Sequence, residues 1–157
     1  MKGQTEINVV LDFSELTYDG DSQKEQYEDK GNNWVEEWEG KRRVDLADNF
    51  ISNLNDELKK VDVSFGEYPN AEYTLIVVVL DCDFGAFAGP MSVPAKVKAS
   101  VKIVKTGSTE VLSSTKKFTE SQNPYSAIAT PNDFVRMYLA FGELGEELGE
   151  KLVKILK

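Results

Sequence analysis

The sequence predicts an α+β fold: a mainly antiparallel sheet with two amphipathic helices on one face, in the order β-α-β-β-β-β-α. Three observations carry that prediction. The run Tyr73-Thr-Leu-Ile-Val-Val-Val-Leu-Asp-Cys82 is apolar at both parities, the mark of a central strand covered on both faces. Val97, Ala99, Val101 and Ile103 alternate with Lys96, Lys98, Ser100 and Lys102, a period of two. Residues 44–60 and 131–157 instead space their apolar side chains by three and four, as a helix lying on a flat surface does.

Taken in chain order, Ile7, Val9, Leu11 and Phe13 alternate with Asn8 and Asp12 and form a first strand with one buried face. Tyr18–Asn33 is polar, charged and punctuated by Gly, and reads as a long exposed loop or a partly disordered insertion. Trp34 and Trp38 close it; their spacing stacks both indoles on one side of a helical turn, which Gly40 and the triplet Lys41-Arg42-Arg43 break or kink. The helix over 44–60 presents Leu46, Ala47, Phe50, Ile51, Leu54 and Leu58 as one stripe. Val61–Phe65 is a short strand, and Gly66–Asn70 with Pro69 is a turn. Beyond the apolar run, residues 84–95 hold two Gly and two Pro and make a soft loop containing Phe84, Phe87, Met91 and Val93. Thr106–Thr109 turns the alternating strand back onto Glu110–Phe118, with Gly107 supplying positive φ.

The last helix is signposted by Thr130-Pro-Asn-Asp133, which reads as a capping box with Pro at the first helical position. Its stripe is Phe134, Tyr138, Leu139, Phe141, Leu144, Leu148, Leu152 and Ile155, and Lys151, Lys154 and Lys157 suit the negative end of the dipole. Gly142, Gly145 and Gly149 lie inside it. Each costs about 1 kcal/mol against Ala in a helix interior, so they imply close approach of another backbone, from the helix at 44–60 or from the sheet.

Length and composition suit one domain over 1–157, with an acidic insertion at about 17–43. Of the net charge of −9, the stretch 12–39 holds −8, from ten acids against Lys24 and Lys30. That balance argues against nucleic acid as a partner. No stretch reaches the roughly 18 to 20 uninterrupted apolar residues that span a bilayer. The start Met1-Lys-Gly-Gln-Thr-Glu has no apolar signal core and is compatible with a mature exported chain. One Cys excludes an intrachain disulfide, and the absence of His excludes Ser-His-Asp, Cys-His and His-ligated zinc chemistry.

What remains for chemistry is sparse. Asp81 and Asp83 leave the strand on the same side and are candidate ligands for calcium or magnesium, although charges that end a strand and protect a sheet edge have the same pattern. Asp19, Asp21 and Glu25 occupy positions one, three and seven of a calcium loop, but Lys24 and Lys30 stand where Gly and an acid are needed. Cys82 reads as a small buried apolar residue. Paired-carboxylate hydrolysis needs two acids in one cleft, and no spacing singles out a pair. Lys96, Lys98 and Lys102, with Lys116 on the returning strand, form a basic row on one sheet face. That row is either a solvated face or the seat of the acidic insertion, from this chain or a second subunit, with Trp34 and Trp38 as anchors.

Asn70-Ala-Glu-Tyr73, the apolar strand, the loop Phe84-Gly-Ala-Phe-Ala-Gly89 and Thr106-Gly-Ser-Thr-Glu-Val-Leu112 together resemble the α+β domain of small bacterial cell-envelope proteins of lipoprotein type, including the amino-terminal domain of TolB. The resemblance spans residues 44–157; Glu72 stands where the pattern has Asp, and the insertion at 18–43 has no counterpart. It implies an exported, periplasmic or envelope-associated binding or assembly module without catalytic chemistry or cofactor. A protein partner or a homo-oligomer is the expected contact, and membrane attachment would need a lipid anchor. Trp34, Trp38, Phe84, Phe87 and Met91 are the expected contact surface. The alternative is a domain that binds a small ligand or calcium, and a carboxylate-based hydrolase is a further one.

Overall fold

The computed structural model describes residues 5–89, 92–122 and 131–156, and its architecture is α+β. The strands are β1 (Glu6–Asp12), β2 (Thr17–Tyr18), β3 (Asp21–Ser22), β4 (Ser64–Gly66), β5 (Tyr73–Asp83), β6 (Lys96–Lys105) and β7 (Val111–Gln122). Helices α1 (Gln23–Lys30) and α2 (Asn32–Glu37) lead across a kink at Gly40, within Trp38–Arg42, into α3 (Arg43–Glu57), and α4 (Asp133–Leu156) is the last element.

The sheet is mixed. β5 lies at its centre, antiparallel to β6, which pairs antiparallel with β7. On its other side β5 runs parallel to β1, and β1 parallel to β4. A parallel neighbour needs a crossover, and the helical stretch between β1 and β4 provides it. The short hairpin β2–β3 joins the end of β5 through Thr17 opposite Asp81.

Alternation places Ile7, Val9, Leu75, Val77, Val79, Val97 and Ala99 on one face, where they meet Phe50 and Leu54 of α3 and Phe141, Leu144 and Leu148 of α4 in a single core. Both long helices therefore cover that face. They cross closely: a Cβ at Gly145 would lie 2.3 Å from the Phe50 carbonyl oxygen, so only Gly permits this approach. The close contact expected of the glycine stripe is with α3. The α4 stripe itself is rotated from the expected one. Met137 and Ala140 are buried, while Tyr138 and Ile155 are 42% and 75% exposed, because the period of 3.6 is anchored on Phe141, Leu144 and Leu148.

Asn132 Oδ1 accepts from the Val135 amide at 3.2 Å at the start of α4, and Thr130, the cap expected from the sequence, lies outside the described residues. Among the described residues no second layer is found over β5. Val78 is 5% exposed and Ile76 and Leu80 are half-buried on the outer face, where among the described residues no helix lies. Neighbours on β1 and β6 shield a central strand enough to keep it apolar at both parities.

Candidate functional site

The stretch read as a loop is ordered from the residues upward. Asp19 and Gly20 take positive φ, 51° and 89°, the geometry of a tight hairpin turn between β2 and β3. Ser22 and Glu25 then form a capping box: the Glu25 amide donates to Ser22 Oγ at 3.3 Å and the Ser22 amide to Glu25 Oε2 at 2.9 Å. No residue of α1 is fully buried, so that cap matters. α1 ends at Gly31 (φ 83°), α2 follows it, and the helical path kinks at Gly40 (φ −87°, ψ −109°) before α3.

This path stacks Trp34 on Trp38, with centroids 5.6 Å apart and planes 19° from parallel, as the spacing predicted. Phe84 meets Trp38 edge-on at 5.2 Å, and Phe134 of α4 stacks on Trp34 at 5.8 Å. Trp38 is fully buried and donates from Nε1 to the Tyr18 hydroxyl at 2.6 Å. Tyr27 donates to Glu39 at 2.8 Å and accepts from Arg43 at 3.0 Å. Burial first, then its bonds with Tyr18 and Glu39, push the Tyr27 hydroxyl far above its ordinary range. The Arg43 guanidinium lies over Phe13 at 4.7 Å, and that of Arg42 over Phe134 at 4.8 Å while bonded to Glu37.

Three of the expected contact residues thus gather inside the molecule. Trp38 offers no face to a partner, and Trp34 and Phe84 are half-buried, because Tyr18 and Phe134 of the same chain complete their surroundings. Phe87 is 48% exposed in the loop closed by the Ala86–Val93 bridge, apart from this cluster, and Met91 lies outside the described residues. Sequence reasoning missed Tyr18, Tyr27 and Phe134. The Asp19-Gly20 pair and the Ser22–Glu25 box were the available signals.

Asp81 accepts from Thr17 Oγ1 at 2.5 Å and from the Gly20 amide at 3.2 Å, tying the β2–β3 hairpin to β5. Asp83 accepts from the Gly85 amide at 2.8 Å. Both carboxylates are occupied in shaping the strand end, and among the described residues no group of three His, Cys, Asp or Glu side chains gathers as a metal would need. Cys82 is buried on the core face, and burial pushes its thiol far above the usual range.

Lys96, Lys98 and Lys102 lie on the outer face, opposite Asp83, Asp81 and Ile76 in register. Asp12, on the same face, is held below the usual carboxylate range by the hydroxyl and amide of Ser14, with Lys102 adding to the effect. Beside them run Val10, 44% exposed, and Ile76, Val78, Leu80 and Val104. Neither the Trp-bearing insertion, which packs against α4, nor Phe84, which packs against the indoles, covers this strip. The outer face is therefore an apolar strip with lysines along one side.

No family model matches the sequence, and no curated protein does. Among solved structures, a Xanthomonas campestris protein of family DUF330 is 14% identical with a TM-score of 0.37, covering 69% of this chain. The chain spans 56% of that protein's length. A Helicobacter pylori protein, described as a homolog of neuraminyllactose-binding hemagglutinin, is 12% identical with a TM-score of 0.38, covering 97% of this chain and 88% of its own. Both neighbours are bacterial. At these scores neither likeness carries a function to this chain, and the likeness to the TolB amino-terminal domain is not among what they show.

Proposed function

We propose that the protein is a non-catalytic binding or assembly module of the bacterial cell envelope, acting through protein contacts made by the outer face of its sheet. The observation that supports this reading is the two-layer build. α3 and α4 occupy one face of the sheet, and the other has Val10 exposed with Ile76 and Leu80 half-buried beside it, between Asp12 on one side and Lys98 and Lys102 on the other. Apolar centres with charged rims are how protein interfaces are composed.

A photo-crosslinking residue at Val10 tests it, with one at Ile155, at the far end of α4, as the control. In cells, Val10 gives a discrete adduct with another polypeptide and Ile155 gives none; an adduct of twice the chain mass identifies a second copy. Equal results at the two positions overturn the outer-face reading. Fractionation of the same cells checks the compartment, and a purely cytosolic protein overturns the envelope part.

A further inference from the structure

α1 is eight residues long and none of them is buried; Gln23, Gln26 and Tyr27 are half-buried and the other five are exposed. A helix that short is marginal in water by itself, so its order rests on what its few inward side chains touch. Those contacts converge on Tyr27. Its ring lies 6.1 Å from that of Tyr18 and 6.3 Å from that of Trp34, and its hydroxyl is bonded to Glu39 and Arg43, on either side of Gly40. The polar ties from the rest of the helix are long: Gln23 Nε2 donates to the Phe13 carbonyl at 3.5 Å, and Lys30 faces Asp133 at 3.9 Å.

Two glycines bracket the segment. Gly20 (φ 89°) precedes β3, whose two residues are exposed, and Gly31 (φ 83°) follows α1. A Cβ at either would meet nothing within 4 Å, so both stand in open space and serve the backbone angle, not close packing. We infer that residues 21–30 form a hinged cover, latched by Tyr27, which swings about Gly20 and Gly31 and uncovers Tyr18 and Trp34 while the rest of the domain stays folded. This does not rest on the outer-face reading. Segments with few buried apolar contacts open at far lower cost than a core does. What lies under the cover is held without it: Trp38 is bonded to Tyr18, the two indoles stack on each other and on Phe134, and Phe84 meets both edge-on. Release of Tyr27 strands no charge either, because Arg43 and Glu39 already face each other at 3.9 Å.

Native-state hydrogen exchange of the full chain, followed by NMR at rising sub-denaturing urea, tests the inference. Amides 27–31 exchange through an opening that urea hardly promotes, whereas the amides of β5 exchange by global unfolding with its full urea dependence. The Trp34 indole N–H, buried and without a bonding partner among the described residues, exchanges with the cover; that of Trp38, bonded to Tyr18, exchanges with β5. Two variants separate the cover from the domain. Tyr27→Phe keeps the ring, removes the hydroxyl and speeds amides 27–31 about tenfold. Gly145→Ala, at the crossing of α3 and α4, speeds β5 and leaves amides 27–31 as they were. One urea dependence shared by α1 and β5, equal acceleration of both by Gly145→Ala, or an unchanged α1 rate in Tyr27→Phe would each overturn the inference. So would a Trp34 indole that stays protected while α1 exchanges, since the helix would then fray without uncovering anything.

Discussion

The Trp38 indole N–H donates to the Tyr18 hydroxyl at 2.6 Å, with neither residue more than 2% exposed. This bond ties the hairpin β2–β3 to the segment that kinks at Gly40, and is one of the contacts that hold the acidic insertion to the core. A buried donor left without its acceptor costs about 1–3 kcal/mol, so Tyr18→Phe should destabilise by that amount. Trp38→Ala should cost about 3–5 kcal/mol, because it also opens a cavity beneath Phe84 and Phe134. In Tyr18→Phe/Trp38→Phe both partners are gone, and the urea midpoint should fall by less than the sum of the losses of Tyr18→Phe and Trp38→Phe alone. Additive losses would mean that the bond contributes nothing beyond packing.

Gly145 faces the backbone of α3 at its closest point. Alanine there gains about 1 kcal/mol of helix propensity, yet its Cβ would sit 2.3 Å from the Phe50 carbonyl oxygen, which cannot rotate away. Separation of the helices should dominate, and Gly145→Ala should lose about 1–3 kcal/mol net in denaturant unfolding. Gly142→Ala meets the Asn49 side-chain amide at 2.8 Å, an atom that can move at the loss of its bond to the Tyr138 carbonyl. Its loss should be the smaller of the two, and a reversed order would place the tight contact elsewhere.

The parts of the fold that were legible in the sequence are those where periodicity and burial agree. Ile7, Val9, Leu46, Phe50, Leu54, Val97 and Ala99 all point inward at the spacing that announced them. The insertion was not legible by composition, because its order comes from partners distant in sequence: Trp34 and Trp38 are held by Phe84 and Phe134, which no local window contains. Only its punctuation, Asp19-Gly20 and the Ser22–Glu25 box, was local. The centre of β5 is buried on both faces, with Val78 at 5% exposure, although among the described residues no covering layer lies on the outer one, so burial there did not identify a cover. Tyr138 and Ile155 were misplaced because a stripe of eight apolar positions leaves its exact phase open by about one residue.

Asp81 holds the hairpin through Thr17 and Gly20. Asp81→Ala removes the oxygen that accepts both bonds and should raise amide hydrogen exchange in β2 and β3 while leaving β6 protected. Hydrogen bonds to a charged group are worth about 1.5–3 kcal/mol, so the local opening should become more than tenfold more frequent. Calcium should leave the melting temperature of both proteins where it was. A calcium-dependent stabilisation that disappears in Asp81→Ala would restore the metal-binding reading.

Glu143 on α4 carries the clearest pH signature. Its carboxyl is raised above the ordinary 4.5 by burial first, then by Glu146, Glu147 and Glu150 on the same helix. The folded state therefore takes up this proton before the unfolded chain does. Its unfavourable contribution is full above the raised value, fades as pH falls through it, and is gone below 4.5, so this group makes the protein more stable in mild acid. Like charges three and four apart on a helix are worth about 0.2–0.5 kcal/mol per pair, so Glu143→Gln should stabilise by about 0.5 kcal/mol at neutral pH. The same substitution near pH 4.5 should give less. Urea midpoints of both proteins at the two pH values test this, since the two differ only in the Glu143 carboxylate and its couplings to Glu146, Glu147 and Glu150. A gain that is equal at the two values would trace to the side chain of Gln, and Glu143 would then have no part in the acid response.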